Sequence, residues 1–290
     1  MVLGASGMLG HKLLQRLNSK LDVAGTIRAR EPGPAIRDAL PDIPLYANVQ
    51  AEDLGTLEHA IDDWRSDVVV NCIGIVKQAP AATAPVPSIA VNALLPHQLH
   101  RLTSRRGIRL IHFSTDCVFS GRDGNYTEDD SPDPGDLYGR SKLLGEVCGD
   151  GALTLRSSIV GHELRDRRGL IEWCLGQRGG HIRGFVRALY SGLTTSAMAE
   201  LVGQIIRSHP ALEGLWHVSS DSISKFDLLQ IVNRVYELGI EIERDEDFVC
   251  DRRLNSTRFR QHVGWRPRAW EEMICAMRQE EREQEEVENA

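Results

Sequence analysis

The 290-residue sequence predicts an α/β fold in which a doubly wound parallel sheet is covered by helices on both faces and followed by a smaller lobe. Three observations carry this. A glycine turn, Gly4-Ala5-Ser6-Gly7-Met8-Leu9-Gly10, joins a short β-rich run to a helical pattern. Short apolar runs then alternate with helical patterns as far as about Val160. One of those runs, Asp67 to Ile75, is apolar nearly throughout, as a parallel strand buried on both faces should be.

Val2 and Leu3 form the first strand, and Leu9, Leu13 and Leu17 recur every four residues, which gives Met8 to Asn18 one helical face. Val23 to Ile27 is the second strand, and Leu54 to Trp64 and Ile89 to Thr103 are helices. Ile108 to Ser114 reads as a strand, Leu137 to Val147 as a helix and Ala152 to Ser157 as a strand. Beyond Val160 the pattern loosens into arginine-rich loops with Arg165, Arg167, Arg168, Arg183 and Arg187. Ser224 followed by Asp227 then signals the start of a helix running through Leu228 to Leu238. The chain divides into residues 1–160, the parallel-sheet domain; 161–277, mainly the second lobe with some segments returning to the sheet; and 278–290, a charged tail without an apolar stripe, read as frayed or disordered. The first strand is short enough to suggest residues upstream of Met1.

A formal charge of −7 argues against nucleic acid or an anionic membrane as partner, because both demand an excess of Lys and Arg. Residues 278–290 hold six Glu and two Arg, a net of −4, which leaves −3 for the rest. The six cysteines are widely spaced with no C-x-x-C pair, so reduced thiols in the cytoplasm are expected rather than a disulfide framework or a zinc site. No apolar stretch is long enough to span a bilayer, and no basic segment leads into an apolar one as in a signal peptide. His97 and His100 lack a third ligand nearby, so no metal is assigned.

Glycines at the spacing G-x-x-G-x-x-G after a strand and at a helix start let the backbone approach a pyrophosphate, which sits on the free N–H groups of the first turn. A Rossmann-type dinucleotide site is the functional reading, and a plain glycine turn the bland one. Arg28 ends the second strand where a ribose-binding acid would select NAD, and an arginine there favours a 2′-phosphate, hence NADPH with NADH as the alternative. The residues read as cofactor-binding are Gly4, Ser6, Gly7, Met8, Leu9, Gly10, Arg28, Asn48, Val49, Asn71, Cys72 and Gly74, together with Tyr138 and Lys142.

Tyr138-Gly139-Arg140-Ser141-Lys142 places a phenol and an ammonium on one helix face. A free tyrosine, with a pKa of about 10, is a poor proton catalyst at neutral pH, and a nearby ammonium lowers that value. Thr115, at the end of a strand 23 residues upstream, can hydrogen-bond the same substrate oxygen. Alone, Tyr-x-x-x-Lys arises by chance on many helices; joined to the glycine turn and the strand-end hydroxyls it reads as catalytic.

The glycine turn, Asn71 to Gly74, Ser114-Thr115-Asp116 with Cys117-Val118-Phe119-Ser120-Gly121, and Tyr138 to Lys142 resemble the extended short-chain dehydrogenase/reductases. Within them the chain is similar to the dTDP-4-dehydrorhamnose reductase-like family, which acts on nucleotide-linked 4-keto-6-deoxy sugars. Tyr126-Thr127-Glu128-Asp129 and Arg252-Arg253-Leu254-Asn255-Ser256 extend the similarity to about Met277. The resemblance implies Thr115, Tyr138 and Lys142 as the catalytic trio, NADPH as hydride donor, a nucleotide-sugar substrate and a homodimer. Two departures bear on the sugar: Arg253 replaces the family's proline, and Asn71-Cys72-Ile73-Gly74-Ile75-Val76-Lys77 looks more like a branch acting on UDP-linked 2-acetamido-2,6-dideoxyhexuloses. Ser114, Asp116, Cys117 and Val118 are substrate candidates, and Arg183, Arg187 and Arg252 are candidate partners for its diphosphate. The competing expectations are a non-catalytic nucleotide-binding regulatory subunit of the same fold, and an epimerase or dehydratase that recycles tightly held NAD.

Overall fold

In the computed structural model, which describes residues 1–79, 83–165 and 167–288, seven parallel strands form the central sheet. They are β1 (Val2–Leu3), β2 (Gly25–Thr26), β3 (Leu45–Tyr46), β4 (Val68–Asn71), β5 (Arg109–Ser114), β6 (Ala152–Arg156) and, arriving later in the chain, Gly214–His217. The spatial order, from β3 inward, is β3-β2-β1-β4-β5-β6 and then Gly214–His217. The helices between them are α1 (Met8–Leu17), α2 (Pro34–Ala39), α3 (Leu54–Asp63), α4 (Pro85–Ser88), α5 (Leu95–Ser104) and α6 (Leu137–Leu144).

Alternation along the strands builds two cores. Val2, Val70, Ile111, Leu153 and Leu155 face α1, whose Leu9, Leu13, Leu14 and Leu17 are buried against them. Leu3, Val69, Leu110 and Ala152 face the other way, onto Leu57 and Ile61 of α3 and Leu95, Leu99 and Leu102 of α5. Strands read as continuous apolar runs are therefore those covered on both faces.

Several boundaries differ from the sequence pattern for identifiable reasons. The Asp67 to Ile75 run leaves the sheet at Asn71, whose side-chain oxygen accepts from the Ile73 N–H at 3.1 Å and turns the chain. The helix expected from Ile89 begins at Pro85 and contains a π-helical turn over Ile89–Leu94. Pro96 has no N–H for the Asn92 carbonyl, so the α ladder is interrupted there. The Asn92 side chain instead grips both backbone groups of Ile75, at 2.8 and 3.0 Å. α6 stops at Leu144, and a Cβ on the following Gly145 would collide with the Asn92 carbonyl. α2 and β3, which no periodicity announced, fill the stretch between β2 and α3.

The rest of the chain adds β7 (Ile159–Val160), α7 (Leu170–Leu175), β8 (His181–Phe185), β9 (Ala188–Tyr190) and β10 (Leu193–Thr194). These are followed by α8 (Thr195–Ser208), β11 (Gly214–His217, the seventh sheet strand), β12 (Ile223–Ser224), α9 (Lys225–Val235), β13 (Glu241–Asp245), β14 (Cys250–Asp251), α10 (Thr257–Val263) and α11 (Trp270–Glu288). Small parallel and antiparallel pairings, β8 with β13 and β9 with β12 and β14, shape the second lobe.

Of the two expectations for residues 278 onward, a frayed helix or a disordered tail, the helix is the one described: α11 runs to Glu288, and residues 289 and 290 lie outside the described residues. Its buried stripe, Trp270, Met273, Ile274 and Met277, is continued by a carboxylate in place of an apolar residue. Glu280 pairs with Lys12 at 3.1 Å and with Arg16, and accepts from the Ser196 hydroxyl at 2.7 Å. No helix among the described residues is long and apolar enough to cross a membrane, and all six cysteines are free.

Candidate active site

The register Leu3↔Asn71↔His112 aligns the carboxyl ends of β1, β4 and β5, the edge where open parallel sheets bind ligands. The glycine turn follows β1. Gly4 has φ +84, and a Cβ on Gly10 would collide with the Gly4 carbonyl, so the turn and the close approach of α1 both require glycine. No side chain caps α1 and its first turn holds no acid, so its N–H groups and dipole suit a diphosphate. Ser6, Met8 and Leu9 lie in this turn.

Arg28 is exposed just beyond β2, and Asn48 and Val49 lie alongside, their N–H groups bonded to Ala29 and Ile27 carbonyls at 2.8 and 3.0 Å. These three thus share the end of the sheet next to the glycine turn. After β4, Asn71 is buried and its amide contacts His112 at 3.1 Å, so it shapes the loop from inside. Gly74 lies against Asn92, and burial pushes the Cys72 thiol well up, which keeps it neutral.

After β5, Thr115 caps a short 3-10 turn, Asp116–Val118. Its hydroxyl accepts from the Cys117 N–H and donates to an Asp116 carboxylate oxygen, both at 3.1 Å. α6 begins with Asp136 as its cap, accepting from the Gly139 N–H at 2.8 Å and paired with Lys77 at 2.7 Å. A Cβ on Gly139 would strike the Cys117 carbonyl, so only glycine lets α6 lie this close to the strand end. Tyr138 then sits beside Thr115. Burial raises the phenol above its ordinary pKa, Cys117 adds to this, and hydrogen bonding to Thr115 opposes it. The expected depression of the tyrosine pKa is thus not what the site produces; burial dominates and the phenol stays protonated at neutral pH. The Lys142 ammonium donates to the Phe113 carbonyl at 2.5 Å, and its own pKa falls to about 8 through burial, with Glu146 opposing.

The substrate candidates separate. Asp116 and Cys117 are at the site, and Arg252 joins them, donating to the Phe119 carbonyl at 3.0 Å and to the Cys117 sulfur at 3.6 Å. The Ser114 and Val118 side chains are engaged elsewhere. The Ser114 hydroxyl donates to Glu146 at 2.6 Å within a buried Glu146–Arg156 pair, and Val118 is fully buried with Phe119, Tyr126 and Leu254. Arg183 is exposed on β8 and paired with Asp245 at 3.1 Å, and Arg187 is exposed ahead of β9, so Arg252 alone of the three touches the loop after β5.

One lysine whose charge reaches the site escaped the sequence reading. Lys225 opens α9, and its ammonium stands 3.6 Å from the centre of the Tyr190 ring, within the electrostatic reach of Asp116, Cys117 and Cys250. A signal was present: a lysine in the first helical position opposes the helix dipole.

The RmlD substrate binding domain family model matches residues 1–164. A probable low-salt glycan biosynthesis reductase of Haloferax volcanii is 35% identical over 165 residues, covering 55% of this chain and 52% of that protein. Methionine adenosyltransferase 2 subunit beta of Pongo abelii is 31% identical over 167 residues, covering 55% of this chain and 46% of that one. The chain therefore spans about half the length of these curated relatives. A hypothetical dTDP-4-dehydrorhamnose reductase from Sulfolobus tokodaii superposes with a TM-score of 0.75 at 25% identity, covering 90% of this chain and 93% of that structure. Sheet order, glycine turn and a family match over more than half the length agree: the chain belongs to the RmlD substrate binding domain family, on an extended short-chain dehydrogenase/reductase-like fold.

Proposed function

We propose that this chain is an NADPH-dependent reductase of the C4 ketone of a nucleotide-linked 4-keto-6-deoxyhexose, acting in the cytoplasm as a homodimer in deoxysugar precursor synthesis. The observation that carries the proposal is the grouping of the Thr115 hydroxyl, the Tyr138 phenol and the Lys142 ammonium at the sheet edge beside an uncapped, glycine-lined helix start. Bound NADPH would supply the hydride. The glycine turn would hold its diphosphate, Arg28 its 2′-phosphate, and Lys142 the nicotinamide ribose.

Thr115 orients the ketone oxygen, and Tyr138 gives its proton to that oxygen as the carbon is reduced. A phenol kept protonated by burial suits this direction. Two substrates fit the reading, a dTDP-linked 4-keto-6-deoxyhexose and a UDP-linked 2-acetamido-2,6-dideoxyhexulose. Loss of NADPH absorbance with a panel of both, at catalytic protein concentration, tests it.

The likeness to a methionine adenosyltransferase subunit supports a second reading, a nucleotide-binding subunit of the same fold. That reading predicts NADPH binding without consumption of NADPH by any keto sugar in the panel. The intact Thr115, Tyr138 and Lys142 favour the enzyme.

A further inference from the structure

Ser114 and Arg156 stand opposite each other at the last rung of the β5–β6 ladder. Glu146 lies across that rung. One of its carboxylate oxygens accepts from the Ser114 hydroxyl at 2.6 Å and from Arg156 Nε at 2.7 Å, and the other accepts from Arg156 Nη2 at 2.8 Å. Arg156 Nη1 donates to His217 Nε2 at 3.2 Å, while the Nδ1–H of His217 donates to the Tyr126 carbonyl at 3.0 Å and so leaves Nε2 as the acceptor. The guanidinium is thus braced from two directions, and the carboxylate it holds is fixed with it. Both side chains of the pair are buried, at 4% and 9% exposure.

Stability alone does not account for such a pair, because well-packed apolar residues in its place often leave a fold equally stable or more so. What the pair holds is the end of β5. Glu146 follows Lys142 by four residues, and the two side chains grip consecutive residues of the strand, the ammonium on the Phe113 carbonyl at 2.5 Å and the carboxylate on the Ser114 hydroxyl. Thr115 is the next residue, and its own hydroxyl accepts from the Cys117 N–H at 3.1 Å. One bond would let the strand end pivot. Two at adjacent residues fix its direction just ahead of the hydroxyl that orients the ketone.

We propose that Glu146 is a positioning residue of the reaction: braced by Arg156, it clamps the end of β5 through Ser114 and so sets Thr115 and the Phe113 carbonyl against Tyr138 and Lys142. The inference rests on the reductase reading and adds to it a residue that acts without touching substrate or cofactor.

The test is a double-mutant cycle read in kcat, with NADPH and the dTDP- or UDP-linked 4-keto-6-deoxyhexose that the protein turns over. Ser114→Ala removes one hydroxyl and leaves the ion pair whole. It should lower kcat by about 10-fold while the KM for the sugar and the NADPH dissociation constant stay within about 2-fold, and Ser114→Thr should restore most of the rate. Glu146→Leu combined with Arg156→Leu should keep a melting temperature near that of the wild type and lose kcat by a similar factor. Adding Ser114→Ala to that pair should then cost less than about 2-fold more, since the clamp is already gone. A folded Ser114→Ala protein with wild-type kcat overturns the inference, and so does an equal Ser114→Ala loss in both backgrounds, which would mean that the hydroxyl acts without Glu146. Should the leucine pair not fold, a Ser114→Ala loss that appears in KM rather than kcat overturns it as well. A wild type that consumes NADPH with neither sugar removes the reductase reading, and this inference with it.

Discussion

The Lys142 ammonium donates to the Phe113 carbonyl at 2.5 Å, tying the helix that carries Tyr138 to the penultimate residue of β5. The bond fixes the ammonium under the site. Lys142→Met should lower kcat by roughly 100-fold and weaken NADPH binding at the same time, because one side chain both steadies α6 and meets the ribose. Steady-state kinetics and a fluorescence titration of NADPH check the two effects separately.

Arg28 is exposed at the end of β2 and makes no side-chain hydrogen bond to a described residue. If it holds the 2′-phosphate, Arg28→Ala should raise the NADPH dissociation constant by about 10-fold or more and leave NADH binding within about 2-fold. An equal loss for both cofactors would place the arginine outside the phosphate site.

Glu280 joins α11 to α1 and α8 through Lys12, Arg16 and Ser196, and Lys12 is buried. Removing one partner of such a pair strands the other charge. Glu280→Ala should therefore destabilise the fold by about 3 kcal/mol in urea unfolding, whereas Glu283→Ala, farther along the same helix and exposed, should change it by less than about 0.5 kcal/mol.

Three buried histidines, His11, His112 and His217, set an acid limit, burial holding each below the ordinary imidazole pKa. Burial lowers the pKa of His11 from 6.5 to about 4 and that of His217 from 6.5 to about 3. Between these values and 6.5 the unfolded chain binds more protons than the native one, so stability falls as pH drops through this window and is fully present above it. The combined loss from pH 7 to pH 4 should be on the order of several kcal/mol, and His11→Gln should flatten the pH dependence of the urea midpoint.

Much of this was legible in the sequence, for physical reasons. Leu9, Leu13 and Leu17 announce α1 because one buried face repeats every turn, and the glycines announce the turn because Gly4 takes a positive φ and a side chain on Gly10 would strike the Gly4 carbonyl. Thr115, Tyr138 and Lys142 stand out in the sequence because short local patterns carry them, and the structure gathers them at the end of β5. What escaped depends on contacts between distant segments. Ser114 looked like its neighbour Thr115 until Glu146, 32 residues on, took its hydroxyl. Glu280 looked like a tail charge until Lys12 met it. Lys225 lies 35 residues after Tyr190, and only the folded lobe lays its ammonium over that ring.

The central claim is that the Tyr138 phenol delivers the proton in an NADPH-dependent ketone reduction. It is tested most directly by following NADPH absorbance for wild type and Tyr138→Phe with the dTDP- and UDP-linked 4-keto-6-deoxyhexoses, alongside NADPH binding to both proteins. The account predicts that removing this one hydroxyl lowers turnover by roughly 100-fold to 10,000-fold while the NADPH dissociation constant stays within about 3-fold. A Tyr138→Phe protein that reduces the sugar at the wild-type rate would contradict it.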